Sequence, residues 1–342
     1  MFQYAILVYP SANRVYTDSA PKLLRAELAV FGAAALSAEI TESAETEIGG
    51  VGYVTFTTTG PLSDADLAAL SNLSALYALF EVRGELLRPL AVRRADRLDS
   101  DLLTIQKYPG KTNELFTKLL LNVTLLTAGR GFGEQLELLD PLCGRGTTLN
   151  QAMMYGFHGT GFDVDAKDFD AYELFIKTWL RNKRIKHTAD AGALRRNKVR
   201  LGRRLEIEYG LTKEQYKAGD TRRLAVYNCD TLTTDELLRA NSIDLIVTDA
   251  PYGVQHGSHR EAALSRSPSD LLAAAVPVWT RVLRPGGALG ISWNIYVTKR
   301  EELAAILTRA GLEVREGGPF EEFEHRVDQS IVRDLIVARK PG

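Results

Sequence analysis

Cysteine, histidine and long apolar runs are scarce in this chain, and each scarcity removes a class of protein. Among 342 residues there are 2 cysteines and 5 histidines. Cys143 and Cys229 build neither a disulfide framework nor a zinc-ligand pattern, which fits a reducing compartment. His187, His256, His259 and His325 share no metal-ligand spacing, so no metal is expected. No apolar run reaches the roughly 18–20 residues that span a bilayer, so no membrane partner is expected. The opening Met1-Phe2-Gln3-Tyr4-Ala5-Ile6-Leu7-Val8-Tyr9 alternates like a strand and lacks the basic region and cleavage site of a secretory signal. A soluble, cytoplasmic protein is the expectation. Internal repeats and low-complexity linkers are missing as well. Net charge is only −1, so the chain as a whole does not announce a nucleic-acid partner.

What is present has the balance of an ordinary globular protein, 45% hydrophobic and 25% charged, at a length that suits two domains. Residues 1–100 read as a compact α+β unit. A strand is expected over 4–9, a helix over 20–35 opening at Pro21, an alternating strand over 52–57, and a helix over 63–80 entered through Asp64 and Asp66. Strand–helix–strand–helix over this length resembles a ferredoxin-like module, a fold that often presents a sheet face to RNA but does not prove that role. Residues 101–128 read as a linker and helix contributing to the cofactor site, turn-rich over 107–113, followed by an apolar-periodic helix over about 114–127. From 129 to 342, strands and helices alternate, which argues for an α/β, doubly wound, mostly parallel sheet. The strands expected are 136–140, 159–164, 225–229, 243–248 and 288–293, closed by an antiparallel pair near 313–317 and 330–338.

Two short motifs 109 residues apart carry the chemistry. The first is Asp140-Pro141-Leu142-Cys143-Gly144-Arg145-Gly146-Thr147-Thr148, at the end of the first of these strands. In a doubly wound sheet, ligands lie beyond the carboxyl ends of the strands, where the strand order reverses. Gly144 and Gly146 let backbone pass close to a ligand, and Thr147 and Thr148 begin a helix whose amides face the site. Asp163, 23 residues after Asp140, ends the next strand, where a carboxylate can accept both ribose hydroxyls. Asp165 reads as a helix N-cap. A dinucleotide is the rival cofactor, but its G-x-G-x-x-G fingerprint is missing, because Leu149 follows where a third glycine belongs. S-adenosylmethionine needs no pyrophosphate cradle and is preferred. Cys229-Asp230 ends the third strand, where a carboxylate either accepts from the adenine amino group or caps a turn.

The second motif is Asp249-Ala250-Pro251-Tyr252-Gly253. An exocyclic nucleobase amine is a poor nucleophile because its lone pair is delocalised into the ring. Catalysis needs two acceptors for its N–H groups and a flat surface for the base. Asp249 and the Ala250 carbonyl supply the acceptors, Pro251 restricts Ala250 to the extended region, and Tyr252 stacks on the base. Asp249 can also draw off the proton as charge develops. His256 and His259 follow closely and read as ordinary loop polarity.

Charge is unevenly spread. Between Arg181 and Arg223 there are 14 Lys/Arg against 5 Asp/Glu, leaving about −10 on the rest. This insert, at about 184–223, is expected to contact RNA through Arg181, Lys183, Arg184, Lys186, Arg195, Arg196, Lys198, Arg200, Arg203 and Arg204. Arg88, Arg93, Arg94 and Arg97 form a smaller cluster expected to face the same groove. Arg333 reads as a structural ion-pair residue.

With these motifs in place, the chain resembles the S-adenosylmethionine-dependent nucleic-acid amino-methyltransferases, and most of all the tRNA guanosine N2-methyltransferases. The resemblance covers residues 104–338 well and the first 100 loosely. It implies a seven-stranded Rossmann-like methyltransferase sheet, with Asp140, Pro141, Cys143, Gly144, Gly146, Thr147, Asp163, Cys229 and Asp230 at the cofactor. It implicates Lys111, Thr112 and Asn113 there too, through a Pro-Gly-x-x-x loop. The usual D-P-P-Y stands here as D-A-P-Y, which keeps the Ala250 carbonyl but loosens the turn. The implied activity is methylation of guanine N2 in tRNA, which some relatives perform with a small activating partner. Alternatives are methylation of rRNA or DNA, including adenine N6, and a non-catalytic RNA-binding protein that keeps the fold. Only a short segment separates Gly253 from Arg284, too little for a DNA target-recognition domain.

Overall fold

The computed structural model describes residues 1–11, 13–196, 198–251 and 267–342. The chain opens with β1 (Phe2–Val8), α1 (Arg14–Ala34), β2 (Ile40–Ile48), β3 (Val51–Thr58), α2 (Asp64–Leu70), β4 (Leu76–Arg83) and β5 (Leu86–Leu90). These strands pair antiparallel in the order β2-β3-β1-β4-β5. The first four strands and two helices thus follow a split βαβ pattern. Two boundaries differ from expectation. The first helix starts at Arg14, because the Asn13 side chain accepts from the Tyr16 amide, and Pro21 lies inside it. The second helix ends at Leu70, and much of the remaining 63–80 stretch is β4. Apolar residues there suit either period, and pairing with β1 decides the matter.

Within residues 101–128 the helix is core, while residues 103–113 stay partly or fully exposed. After α3 (Asp101–Thr104) comes α4 (Glu114–Thr127), of whose 14 residues 12 are buried. Leu23, Leu24 and Phe31 of α1 share one hydrophobic cluster with Leu119, Leu120 and Val123 of α4 and Leu138 beyond it. A buried polar chain crosses the same junction. Glu27 accepts from the Ser74 amide and hydroxyl and from Asn122 Nδ2 (2.7 Å), and Asn122 Oδ1 accepts from the Tyr155 hydroxyl (2.7 Å). Burial pushes the Glu27 carboxyl up.

The second sheet begins with β6 (Glu137–Asp140), α5 (Thr147–Tyr155), β7 (His158–Phe162) and α6 (Ala166–Asn182). It continues through β8 (His187–Arg196), β9 (Val199–Tyr209), α7 (Lys213–Lys217), β10 (Arg222–Asn228), α8 (Thr234–Leu237) and β11 (Ile243–Asp249). Then come α9 (Pro268–Val282), β12 (Leu283–Asn294), α10 (Arg300–Arg309), β13 (Glu313–Val314), β14 (His325–Arg326) and β15 (Val332–Arg339). The order is β13-β15-β12-β11-β6-β7-β10-β9-β8, with β14 beside β15. From β12 to β10 the pairing is parallel, and both flanks are antiparallel.

Among the described residues the sheet therefore has ten strands, not the seven expected. The additions are β14 and the β8–β9 hairpin, which the basic insert forms. Only Leu205, Ile207 and Tyr209 of β9 alternate inward, and β8 is an exposed charged edge. Such an edge resists further pairing but hides the apolar signature of a strand. Strand order reverses between β6 and β11, the position that forms a ligand crevice.

Candidate cofactor and substrate cleft

Asp140 closes β6 with its carboxyl buried, accepting from the Leu142 amide (3.2 Å) and the Thr248 hydroxyl (2.9 Å). Burial pushes it up to about 7. The chain then folds back: Cys143 N–H donates to the Phe162 carbonyl and Gly146 N–H to the Cys143 carbonyl. Gly144 and Gly146 adopt φ of +49° and +77°, the left-handed region open to glycine. A Cβ on Gly146 would run into the Tyr172 ring, whereas one on Gly144 would meet nothing within 4 Å. Gly146 thus serves packing, and Gly144 leaves the loop open. Thr147 begins α5 at the mouth.

A cleft of about 290 Å³ lies against this loop, lined on one side by Asp140, Cys143, Gly144, Arg145 and Thr147 and on the other by Asp249, Ala250 and Pro251. The motifs that stand 109 residues apart in sequence meet here because β6 and β11 are adjacent parallel strands. Pro141 is buried beneath the loop. Burial pushes the Cys143 thiol well above its usual range. Tyr108, Arg145 and Asp168 complete the rim and were not anticipated. Arg145 Nε donates to Asp168 (2.9 Å), and its guanidinium lies 4.6 Å over the Tyr108 ring. Arg145 stood in the loop string as a variable position, and only the fold brings it to Tyr108.

Other expected cofactor residues lie elsewhere. Asp163 holds the loop from behind, its two oxygens accepting from the amides of Gly144 (2.8 Å) and Asp165 (2.7 Å). Burial pushes it up to about 6. Asp165 caps α6, as expected. Asp230 accepts from the Leu232 amide (2.9 Å) and caps a single turn, with the Cys229 thiol beside Thr233. Lys111 donates to the Leu103 carbonyl (2.6 Å) and pairs with Glu114 (3.4 Å). Asn113 caps α4. Of the Lys111–Thr112–Asn113 trio only Thr112 lines the cleft.

At the second motif, the Asp249 side chain is 20% exposed. Oδ1 accepts from the Ser292 hydroxyl and Oδ2 from the Thr112 hydroxyl, and Arg333 Nη2 stands 3.7 Å from Oδ2. Ala250 N–H donates to the Ser292 carbonyl (2.8 Å), extending the β11–β12 ladder by one residue. Tyr252, His256 and His259 lie outside the described residues.

The basic insert does not form one surface. Arg181, Lys183, Arg184 and Lys186 lie where α6 returns to the amino ends of the parallel strands, and Lys183 is paired with Asp99 (2.7 Å) and Asp101 (2.6 Å). Asn228, the end of β10, pairs with Arg203, so the hairpin continues past the strand end on the cleft side. Arg203 pairs with Asp170, Arg204 with Asp190 and Glu206, and Arg196 with Glu236. Arg195, Lys198 and Arg200 at the tip are exposed. The ten-residue β8 spans roughly 30 Å between the two groups.

The smaller cluster also departs from expectation. Arg88 pairs with Glu81 (2.9 Å), and the Arg94 guanidinium donates to the Leu76 carbonyl. Arg93 and Arg97 line a cavity of about 510 Å³ beside residues 129–133, at the amino end. They do not face the cleft.

No family model and no curated protein sequence matches the chain. Solved structures do. One is the N-methyltransferase NodS from Bradyrhizobium japonicum, at 16% identity and TM-score 0.40, covering 66% of this chain and 95% of that one. Another is the 1,6-didemethyltoxoflavin-N1-methyltransferase from Burkholderia thailandensis with bound 1,6-didemethyltoxoflavin and S-adenosylhomocysteine. It is 15% identical with TM-score 0.38, covering 67% and 80%. A TehB-like SAM-dependent methyltransferase from Corynebacterium glutamicum is 15% identical with TM-score 0.35, covering 67% and 100%. Likeness this distant leaves the chemistry of the chain to its own residues.

Proposed function

We propose that this chain is an S-adenosylmethionine-dependent methyltransferase that methylates guanine N2 in tRNA. The observation that carries the reading is the meeting of the Asp140–Thr148 loop and the Asp249-Ala250-Pro251 turn in one cleft at the strand-order switch. The residues present fit the cofactor. Gly144 leaves an opening where a side chain would stand, the first turn of α5 offers amides, and Asp140 and Asp168 offer acceptors. Arg145 and Thr147 suit a carboxylate. When bound, S-adenosylmethionine supplies an electrophilic methyl group on a sulfonium.

The chain's own task is to make the amine reactive. Asp249 accepts one N–H of the guanine amino group and the Ala250 carbonyl the other, so that the lone pair is withdrawn from the ring. The Thr112 and Ser292 hydroxyls keep Asp249 from turning away. Holding the reacting atoms in line is worth up to about 7–11 kcal/mol. In this reading Tyr252 stacks on the flipped base, worth about 1–3 kcal/mol, and the hairpin tip contacts phosphates beside the cleft.

The test is transfer of label from S-adenosylmethionine to total tRNA, rRNA and DNA, by wild type and Asp249→Ala. N2-methylguanine in tRNA, lost in the variant, is the expected result. Label in DNA or rRNA alone overturns the substrate assignment. No label despite cofactor binding overturns the activity.

A further inference from the structure

Arg333 belongs to β15, two strands away from Asp249, yet reaches it. Its side chain is 4% exposed, its guanidinium lies 4.7 Å over the Phe116 ring of α4, and Nη2 is 3.7 Å from Asp249 Oδ2. A buried guanidinium is costly without a counter-charge. Directly opposite Arg333 in the β14–β15 pair is His325. Burial pushes that imidazole down to about 4, and Arg333 adds to the effect, so it stays neutral beside the guanidinium. The Asp249 carboxylate stands within ion-pair distance.

Ser292 completes the arrangement from β12, the strand between. It is wholly buried and stands opposite Asp249 in the register. Thr112 arrives from the segment before α4. Both carboxylate oxygens are therefore held, Oδ1 by the buried Ser292 and Oδ2 by Thr112 on the cleft wall, while the group still lines the cleft.

We propose that Arg333 is a positioning residue that, with Ser292, holds Asp249 aimed into the cleft as an acceptor for the substrate's amino group. The role rests on the methyltransferase reading of the cleft. A carboxylate so held has no need to swing before it accepts from the amine. Lysine at 333 would keep the charge but lose the planar fork and the stacking on Phe116.

The test compares wild type, Arg333→Met, Arg333→Lys and Ser292→Ala in methyl transfer to tRNA, with cofactor Kd and thermal stability read on the same preparations. Arg333→Met is expected to lower kcat about 10–100-fold, the scale of groups that orient a reacting ligand from behind. KM for tRNA and cofactor Kd stay unchanged, because the interaction acts on the reacting carboxylate rather than on uniform binding. Arg333→Lys restores part of kcat, and Ser292→Ala lowers it in the same direction. Wild-type kcat in a folded Arg333→Met variant overturns the role and leaves Arg333 as a strand holder. Should Arg333→Met fail to fold, unchanged kcat in Ser292→Ala overturns it instead. An inactive wild type overturns the reading of the cleft and this role together. An active wild type with an indifferent Arg333→Met overturns this role alone.

Discussion

β11 carries an aspartate at each end. At the amino end, Asp244 is buried, pairs with Arg284 (2.6 Å) and Arg130 (3.7 Å), and accepts from the Glu137 amide (2.9 Å). At the carboxyl end, five residues on, Asp249 also has an arginine and two further donors, but it borders a cleft. Pairing alone does not separate a structural carboxylate from a chemical one. What separates them is the strand-order switch, which opens a crevice at one end of β11 while loops and arginines close the other.

The basic residues divide along the same axis. Lys183 at the amino end is neutralised by Asp99 and Asp101, whereas Arg195, Lys198 and Arg200 project at the cleft end.

The largest effect separates the two aspartates. Asp249→Ala should lower kcat by at least about 10²–10³, the scale for losing one preorganised group at a reacting centre, and should also cost stability, because it strands the buried Arg333 guanidinium. Asp244→Asn should cost about 1.5–3 kcal/mol of stability for its charged hydrogen bonds while the folded protein keeps its kcat. Denaturant unfolding and methyl-transfer kinetics on both variants would break the comparison if Asp244→Asn lost kcat or Asp249→Ala kept it.

Next, the cofactor loop should tolerate alanine unequally. Gly146→Ala combines left-handed strain, about 1–2 kcal/mol, with a clash into the Tyr172 ring that adds about 1–3 kcal/mol. Gly144→Ala meets open space and carries only the strain. Equal losses by chemical denaturation would show that Tyr172 does not pack as described.

For RNA, replacing Arg195, Lys198 and Arg200 with alanine should reduce the slope of log affinity against log salt by about 2–3 units. Replacing Arg181, Arg184 and Lys186 should leave the slope unchanged. Equal changes would restore a single basic surface.

The smallest effect is a pH slope. Burial raises Asp140 to about 7 and Asp163 to about 6, so the folded state binds more protons than the unfolded one between pH about 4 and 7. Their contribution is fully present below the unfolded carboxylate range and is lost as pH rises through these values. Thermal stability of the ligand-free protein should fall on that side, and Asp140→Asn should flatten the fall. A fall that Asp140→Asn leaves unchanged would show that Asp140 is solvated in the cleft.

Much of this end of the sheet was legible in the sequence. The five parallel strands announced themselves as apolar runs, and both motifs sat at strand ends. The β8–β9 hairpin was not legible, because β8 buries only Leu194 and the alternation of β9 is confined to Leu205, Ile207 and Tyr209 amid a basic run. Residues 63–80 misled because Leu70, Leu73, Leu76 and Leu79 fit a helical stripe as well as they fit α2, a turn and β4. The apolar-periodic reading of 114–127 did not show that α4 is enclosed on nearly every face, because its polar residues Lys118, Asn122 and Thr124 are buried as well.

Local backbone chemistry in the sequence determined the loop and the turn. Glycines at 144 and 146 permit left-handed angles, Asp165 can cap the next helix, and Pro251 keeps Ala250 extended. Sequence alone could also place Asp140 and Asp249 at strand ends. Only the tertiary structure decided what holds Asp249. Thr112, Ser292 and Arg333 lie 137, 43 and 84 residues from it, and no local rule relates them. The pairing of β11 with β12 and of β12 with β15, with α4 packed across them, brings these side chains to one carboxylate, because strand order in a sheet is set by packing rather than by distance along the chain.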